Sequence, residues 1–294
     1  MLDYVLSGLM QRYQERVPDV AGIIAAMITE NLIQVPEDIE NDHIAFRTIG
    51  VPELGIQSLE KIFLHYGYTR RDAYQFPAKK LDAYWYAPPA PNYPRIFISE
   101  LRVKDLSAEA QKIIASYTKE VLVDPVSNLD LNDGPAVDTF LHSALWRTPT
   151  WEDYEALAAE SEYAAWVIYN RYYLNHFTIS LQNLPASYNT VADFNTFLEN
   201  AGFILNDSGG KIKESPDHLL LQSSTVAKMI PATFAGNDVH KIAGSYVEFA
   251  ERRVLPQFAD MPADQITREH RREGFEAGNA DRIFESTYSS QTSK

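Results

Sequence analysis

The sequence predicts an α+β protein in which two β-α-β-β-β modules form an incomplete barrel around a metal site. Three observations support this class: helical spacing of apolar residues at the N-terminus, a strand and helix pattern that occurs twice, and a helical insertion between the two occurrences. We expect a single domain over 1–294. Its parts are N-terminal helices at 1–38, a first β module at 39–104, a helical insertion at 105–173, a second β module at 174–256, and a C-terminal closing segment and tail at 257–294.

Residues 2–32 carry apolar side chains at three- and four-residue spacing, which is the pattern of amphipathic helices. Pro18 lies inside this stretch. It predicts a break between two helices, because proline lacks the amide hydrogen that a helix interior needs.

The first module begins at 42–49, where the residues alternate with the period of a β-strand. Residues 55–66 return to helical spacing, and two further strands are predicted at 80–87 and 95–103. A proline-rich turn separates these two strands, as expected for a residue that favours turns.

A mostly helical block at 107–173 contains many aromatic residues, which we assign to packing because aromatic stripes on helices usually face a core. After this block the order of the first module returns. Strands are predicted at 175–181, 219–229 and 244–254, a helix at 190–200, a polar loop or hairpin at 206–214, and a closing segment at 273–286. The Ser/Thr-rich end at 286–294 is expected to fray.

The two halves are similar in sequence as well as in element order. The corresponding segments are 42–46 with 175–179, 59–68 with 193–203, and 98–101 with 246–249. Each half therefore has a histidine on its first strand and an acid on its last strand. On this alignment His43 corresponds to His176, and Glu100 corresponds to Glu248.

Charge and cysteine content exclude several functional classes. The chain has 26 Lys and Arg against 40 Asp and Glu, a formal net charge of -14. This balance argues against nucleic acid or an anionic membrane as a partner, because both need a basic surface. The chain has no cysteine, which excludes disulfides, thiolate zinc sites and iron–sulfur clusters. Any metal must be held by nitrogen and oxygen.

The N-terminus has no basic segment followed by an apolar run, and no stretch approaches the ~20 apolar residues of a membrane span. From these observations we expect a protein with no membrane partner and a cytoplasmic location.

Paired modules would bring both first strands and both last strands to a common cavity. His43, His176 and Glu248 would then converge on one metal ion. Two histidines and one carboxylate leave other coordination positions open, which is the arrangement of non-haem Fe(II) oxygenases. Arg47 is four residues beyond His43, so both side chains face the same side of the strand. A guanidinium there is suited to binding a substrate carboxylate.

Other interpretations of the same residues stay open at this stage. A single histidine on a half-apolar strand is commonly a hydrogen-bonded core residue. If Glu100 adds a fourth ligand, the site suits a glyoxalase-type metal-dependent lyase or isomerase. A non-catalytic protein that binds a small acid in the same cavity is a further alternative. The chain has no Walker loop, dinucleotide-binding glycine motif, GxSxG or HExxH.

The sequence resembles the 2-oxoadipate dioxygenase/decarboxylase (2-hydroxyglutarate synthase) family, a branch of the vicinal-oxygen-chelate fold. The resemblance rests on four segments: 42–47 (Asp-His-Ile-Ala-Phe-Arg), 175–178 (Asn-His-Phe-Thr), 246–249 (Tyr-Val-Glu-Phe) and 274–284 (Gly-Phe-Glu-Ala-Gly-Asn-Ala-Asp-Arg-Ile-Phe). It implies Fe(2+) as the cofactor and an O₂-dependent conversion of 2-oxoadipate to 2-hydroxyglutarate with release of CO₂. The partners would be a small 2-oxo acid and O₂.

The resemblance also assigns roles to individual residues. It implies His43, His176 and Glu248 as metal ligands and Arg47 as the residue that binds substrate and takes part in catalysis. Gly278 and Asn279 align with a substrate-contacting stretch that is more apolar in longer members, and we expect them to bind substrate here. For Glu100 the repeat predicts a catalytic side chain facing the cavity. The family pattern implies that it is not a metal ligand.

Overall fold

The computed structural model describes residues 1–294, and a curved eight-stranded sheet lies at its centre. The strands are β1 Asn41–Ile49, β2 Thr69–Phe76, β3 Leu81–Ala87, β4 Arg95–Leu101, β5 His176–Ser180, β6 Lys213–Glu214, β7 Leu220–Ser224, β8 Met229–Thr233, β9 Val239–Ala243 and β10 Tyr246–Arg252. The helices are α1 Leu2–Arg16, α2 Pro18–Thr29, α3 Ile56–His65, α4 Ala108–Thr118, α5 Gly134–Leu141, α6 Trp151–Glu160, α7 Glu162–Asn170, α8 Val191–Asn200, α9 Ala277–Ile283 and α10 Ser289–Thr292.

The strand order in the sheet is β2-β3-β4-β1-β5-β10-β7-β6. Outward from the centre, each half has its first strand, then its last strand, then its two middle strands. In each module the last strand pairs in parallel with the first, β4 with β1 and β10 with β5. The modules join through the antiparallel pair β1–β5. The predicted α+β class with two modules curled into an incomplete barrel is confirmed.

Apolar burial explains why the helices lie where they do. The apolar side of α3 includes Leu59, Ile62 and Phe63, all fully buried, and the Phe63 ring packs 5.4 Å from the ring of Phe46 on β1. Burying one such side chain is worth roughly 1.5–3 kcal/mol. The main hydrophobic core contains 61 buried residues between Leu2 and Phe284, and two smaller buried clusters lie apart from it around β8, β9 and α9.

The helix break at Pro18 is confirmed, and Pro18 is the first residue of α2, a position where its missing amide hydrogen costs nothing. No helix of the protein combines the length and the apolar character that crossing a bilayer requires.

Three elements differ from the sequence-based expectation. β2 was not predicted, because it is an exposed edge strand with polar residues on both faces and no apolar alternation. The strand predicted at 219–229 ends at Ser224, and β8 and β9 form a separate two-stranded sheet. The expected frayed tail is instead ordered. Gln291 of α10 is buried, and its side chain accepts a hydrogen bond from the Asp207 amide.

Candidate metal centre

The two histidines of the sequence repeat meet at the junction of the modules. His43 on β1 lies opposite Thr178 on β5, and His176 lies opposite Ala45, so the two histidines are diagonal neighbours on the interior face of the sheet. Their Nε2 atoms are 3.3 Å apart. Both side chains are almost completely buried.

Glu248 completes this group from the adjacent strand β10, where it pairs with Thr178. One carboxylate oxygen lies 3.1 Å from His176 Nε2, and the other lies 3.5 Å from His43 Nε2. The three side chains offer one donor atom each, and these atoms lie within 4.8 Å of one another. The structure therefore brings together the three residues that the sequence proposes as ligands.

The donor spacing fits a single divalent ion. Donors about 2.1 Å from an ion and 90–110° apart lie about 3.0–3.4 Å from each other, close to the separations found here. Two imidazole nitrogens and one carboxylate, without sulfur, also form the donor set that such metals accept.

Each histidine is oriented by the side chain that precedes it. Asp42 Oδ1 lies 2.8 Å from His43 Nδ1, and Asn175 Oδ1 lies 3.1 Å from His176 Nδ1. A shift in the β1–β5 register between Asn41 and His43 marks an irregular strand next to Asp42. With Nδ1 engaged in both rings, Nε2 is the atom presented to the common centre, as in other histidine metal sites.

The pKa values of the two histidines shift in opposite directions. Burial, together with the nearby charges of His43 and Arg47, holds the pKa of His176 well below its ordinary value. Burial also opposes the charged form of His43, but the charge of Glu248 and the hydrogen bond that His43 donates to Asp42 outweigh it and raise the pKa of His43. His176 is thus held as a neutral imidazole, which is the form that binds a metal.

Glu100 does not face this centre, which corrects the expectation drawn from the repeat. Its side chain lies on the opposite side of the sheet, where Oε2 accepts a hydrogen bond of 2.7 Å from the amide of Ile56, the first residue of α3. Burial raises the pKa of Glu100. The residue caps a helix, and it is neither a metal ligand nor a wall of the cavity.

The register explains the error. His43 pairs with Arg95 and His176 pairs with Tyr246, so the counterpart of Glu248 is Phe97, two residues beyond Arg95. The counterpart of Glu100 is Glu251, which accepts a hydrogen bond of 2.9 Å from the amide of Val191, the first residue of α8. The sequence alignment was displaced by three residues, and an odd displacement moves a side chain to the other face of a strand.

The triad opens onto a small pocket. Its other walls are Phe97, Gln222, Tyr246, Phe275, Ala280, Ile283 and Phe284. The Phe275 ring lies 4.7 Å from the ring of His43. A small, mostly apolar cavity with few polar groups suits a small ligand that the polar groups orient.

Arg47 is buried on the same side of β1 as His43 and has no acidic partner. Its Nη1 donates to Thr287 Oγ1 at 2.9 Å, and its Nη2 donates to the Phe284 carbonyl at 3.0 Å. Its Nε is buried without a hydrogen-bond partner. A buried guanidinium is costly unless an anion balances its charge. This arrangement favours an anionic ligand, in agreement with the role proposed from the sequence.

Asn279 and Gly278 have different surroundings. Asn279 is buried, and its Nδ2 donates to Gln222 Oε1 at 3.0 Å. Gln222 Nε2 in turn donates to Glu248 Oε1 at 2.5 Å. Gly278 is exposed, and nothing lies within 4 Å of where its Cβ would stand. The structure therefore connects Asn279 through Gln222 to Glu248 and gives no support to a substrate contact at Gly278.

A buried charge network supports the wall formed by Phe275. Asp42 accepts from Arg95 Nη1 at 3.0 Å and from Arg252 Nε at 2.6 Å. Arg252 Nη1 donates to the Gly274 carbonyl at 2.8 Å. Gly274 has φ +73°, a conformation that glycine adopts without steric cost. The sequence alone did not predict this role for Asp42. The available signal was an acid directly before a predicted histidine ligand, on a strand expected in the core.

The fold and the centre define a class, a two-module protein with a two-histidine, one-carboxylate site at the module junction. The same fold occurs in a glyoxalase superfamily protein from Ralstonia eutropha JMP134, with a TM-score of 0.68 at 19% identity over 93% of this chain and 85% of that one. A sequence model described as 2-oxoadipate dioxygenase/decarboxylase matches residues 5–261. The chain belongs to the 2-oxoadipate dioxygenase/decarboxylase family.

Two relatives and one solved structure illustrate this membership. The 2-oxoadipate dioxygenase/decarboxylase of Oryza sativa subsp. japonica is 42% identical over 99% of this chain and 79% of its own length. That of Arabidopsis thaliana is 45% identical over 86% of this chain and 69% of its own length. The crystal structure of the Oryza sativa hydroxyglutarate synthase in complex with 2-oxoadipate matches with a TM-score of 0.89 at 42% identity, over 99% of this chain and 93% of that one.

The expected cytoplasmic location is contradicted by these relatives. The rice protein is named as chloroplastic/amyloplastic and the Arabidopsis protein as chloroplastic. The expectation rested on the lack of a secretory leader and of a membrane span. Those features concern export and membrane insertion, and they do not distinguish the cytoplasm from an organelle.

Proposed function

We propose that this chain is an Fe(II)-dependent oxygenase that converts a 2-oxo dicarboxylic acid of the 2-oxoadipate type into 2-hydroxyglutarate and CO₂. The observation that carries the proposal is the buried set of His43, His176 and Glu248, with Arg47 on the same side of the sheet and without an acidic partner. The relatives named for this reaction, and the rice structure that holds 2-oxoadipate, support the choice of substrate.

The three ligands are also suited to iron on chemical grounds. When bound, Fe(II) would supply open positions for a chelating 2-oxo acid and for O₂. Asp42 and Asn175 hold the imidazoles in one orientation, and Gln222 holds the carboxylate of Glu248. Such hydrogen bonds to ligands commonly determine metal affinity.

The proposed reaction balances without a further reductant. 2-Oxoadipate and O₂ contain the same atoms as 2-hydroxyglutarate and CO₂. The C1 carboxylate leaves as CO₂, the keto carbon becomes the new carboxylate, and the neighbouring carbon gains the hydroxyl group. The substrate supplies all the electrons that reduce O₂.

The chain's own residues determine orientation and the exclusion of water. Arg47 would pair with a substrate carboxylate through its fork of N–H donors. Phe97, Phe275 and Phe284 form apolar walls, which keep water from the reacting carbons. The alternative of a four-ligand lyase requires Glu100 as the fourth ligand. Glu100 instead accepts a hydrogen bond from the first amide of α3, on the opposite side of the sheet.

The test is anaerobic loading with Fe(II), followed by O₂ uptake with a panel of 2-oxo acids. We expect uptake with 2-oxoadipate and equal amounts of CO₂ and 2-hydroxyglutarate. His176→Ala should remove bound iron from a folded protein. His240→Ala is the matched control, because His240 is partly exposed and pairs with Asp238 outside the cavity. Iron that stays bound without His176, or wild-type protein that consumes no O₂ with any 2-oxo acid, would contradict the proposal.

A further inference from the structure

Two buried polar atoms next to the metal centre lack any hydrogen-bond partner, and they belong to neighbouring side chains. One is the hydroxyl of Tyr246, and the other is Nε of Arg47. Both side chains are only 1% exposed. Buried polar groups are almost always paired, so two unpaired atoms at one place indicate a missing partner.

The sheet register places the two side chains side by side. Ala45, His176 and Tyr246 form one row across β1, β5 and β10. Arg47 is two residues beyond Ala45 and therefore shares its face of the sheet. Burial raises the pKa of Tyr246, and the adjacent Arg47 guanidinium offsets part of this rise through its charge and a contact with the phenol oxygen. The two groups are therefore neighbours beyond His176, and the phenol O–H still lacks an acceptor.

The position of the Tyr246 ring is fixed by contacts that do not use its hydroxyl. The ring packs 4.8 Å from the ring of His176, and the Tyr246 carbonyl accepts a hydrogen bond from the hydroxyl of Tyr13. The side chain also lines the cavity that contains the triad. Its hydroxyl is consequently free to serve a ligand in this cavity.

The chemistry of the missing partner follows from the two groups. Both the phenol O–H and the guanidinium N–H are donors at neutral pH. An acceptor that takes a hydrogen bond from each, beside a guanidinium without a counterion, is an anionic oxygen. A carboxylate has the two oxygens and the charge that this pair of donors requires.

We propose that the Tyr246 hydroxyl and Arg47 Nε together bind the substrate carboxylate that is remote from the metal, and that Tyr246 thereby selects dicarboxylic over monocarboxylic 2-oxo acids. The inference rests on the proposed function, which places the other end of the substrate at the triad. The protein would thus bind both ends of its substrate, one at the metal centre and the other at this pair of donors.

The test compares binding of two acids of equal chain length, 2-oxoadipate and 2-oxohexanoate, which lacks the remote carboxylate. Binding to Fe(II)-loaded protein is measured by calorimetry without O₂. Tyr246→Phe should weaken 2-oxoadipate binding about 10- to 100-fold, the range for one hydrogen bond to a charged group, and change 2-oxohexanoate binding less than about twofold. Iron content should stay at the wild-type level.

Tyr68→Phe is the matched control, because Tyr68 is equally buried but donates its hydroxyl to the Pro94 carbonyl. It should leave both affinities unchanged. Equal weakening for the two acids in Tyr246→Phe, or no weakening at all, would overturn the proposal, as would a wild-type protein that does not prefer 2-oxoadipate. Selective binding without O₂ uptake would instead refute only the proposed reaction. O₂ uptake without selectivity would refute only the role of Tyr246.

Discussion

Replacing Asp42 by asparagine should destabilise the protein strongly, because this one carboxylate balances two buried arginines. Asp42, Arg95 and Arg252 are each 1–2% exposed, and both guanidinium groups donate to the carboxylate. Asparagine keeps the size of the side chain and removes its charge. Arg252 is then left buried without an acidic partner, while Arg95 retains Glu273.

The magnitude follows from the cost of leaving a buried charge unpaired. Removing one partner of a buried ion pair typically costs about 3–5 kcal/mol. Asp82→Asn is the matched control, because Asp82 pairs with Arg102 at the surface and such pairs are worth about 0–1 kcal/mol. The free energy of unfolding, measured in urea, should therefore separate the two variants clearly.

The effect of these two arginines on the pKa of Asp42 determines how the free energy of unfolding depends on pH. Burial opposes the charged form of Asp42, but Arg252 and Arg95 outweigh it and hold the pKa of Asp42 well below its ordinary value. The contribution of Asp42 to the free energy of unfolding is therefore complete above its unfolded pKa of about 3.9, and it is lost as pH falls through the folded pKa.

One outcome for Asp42→Asn would refute the role of the network. It is a loss of unfolding free energy of less than about 1 kcal/mol at neutral pH, equal to that of the surface control.

Three further substitutions test the surroundings of the metal centre. Arg47→Lys should raise the KM for 2-oxoadipate about 10- to 100-fold with iron still bound, because lysine keeps the charge and loses the fork of donors; an unchanged KM would reassign the carboxylate contact. Gln222→Leu should weaken iron binding about 10- to 100-fold in a metal titration, since Glu248 loses its donor. Glu100→Gln should leave iron content and turnover at the wild-type level and lower stability by about 1 kcal/mol or less, because only a helix cap is affected. Lost iron in that variant would restore the four-ligand alternative.

Strand periodicity and the resemblance to the family together predicted the triad, and periodicity is most reliable where one face of a strand is buried. His43 and His176 follow directly from the repeated first strands, and Arg47 follows from counting along β1. Strand periodicity did not determine the alignment of the two last strands, β4 and β10, in the same way. An acid three residues from the true counterpart looked equivalent in sequence, yet Glu100 and Phe97 point to opposite faces.

Contacts distant in sequence could not be obtained from pattern alone. Tyr246 was quoted only as a neighbour of Glu248, and its unpaired hydroxyl became visible only with the arrangement of β1, β5 and β10. Likewise Asn279 was expected to meet the substrate, but its amide donates to Gln222. Gly278 was grouped with it through proximity in sequence, while the turn of α9 places the two on different sides.

The measurement that tests the central claim most directly is turnover of 2-oxoadipate by Fe(II)-loaded protein under isotopically labelled O₂. In the proposed reaction one labelled oxygen enters the new carboxylate of 2-hydroxyglutarate, the other enters its hydroxyl group, and none enters the CO₂. We expect this pattern in the product of the wild-type protein and no product from His176→Ala. Product that carries oxygen only from water, or that forms without O₂, would contradict an oxygenase built on His43, His176 and Glu248.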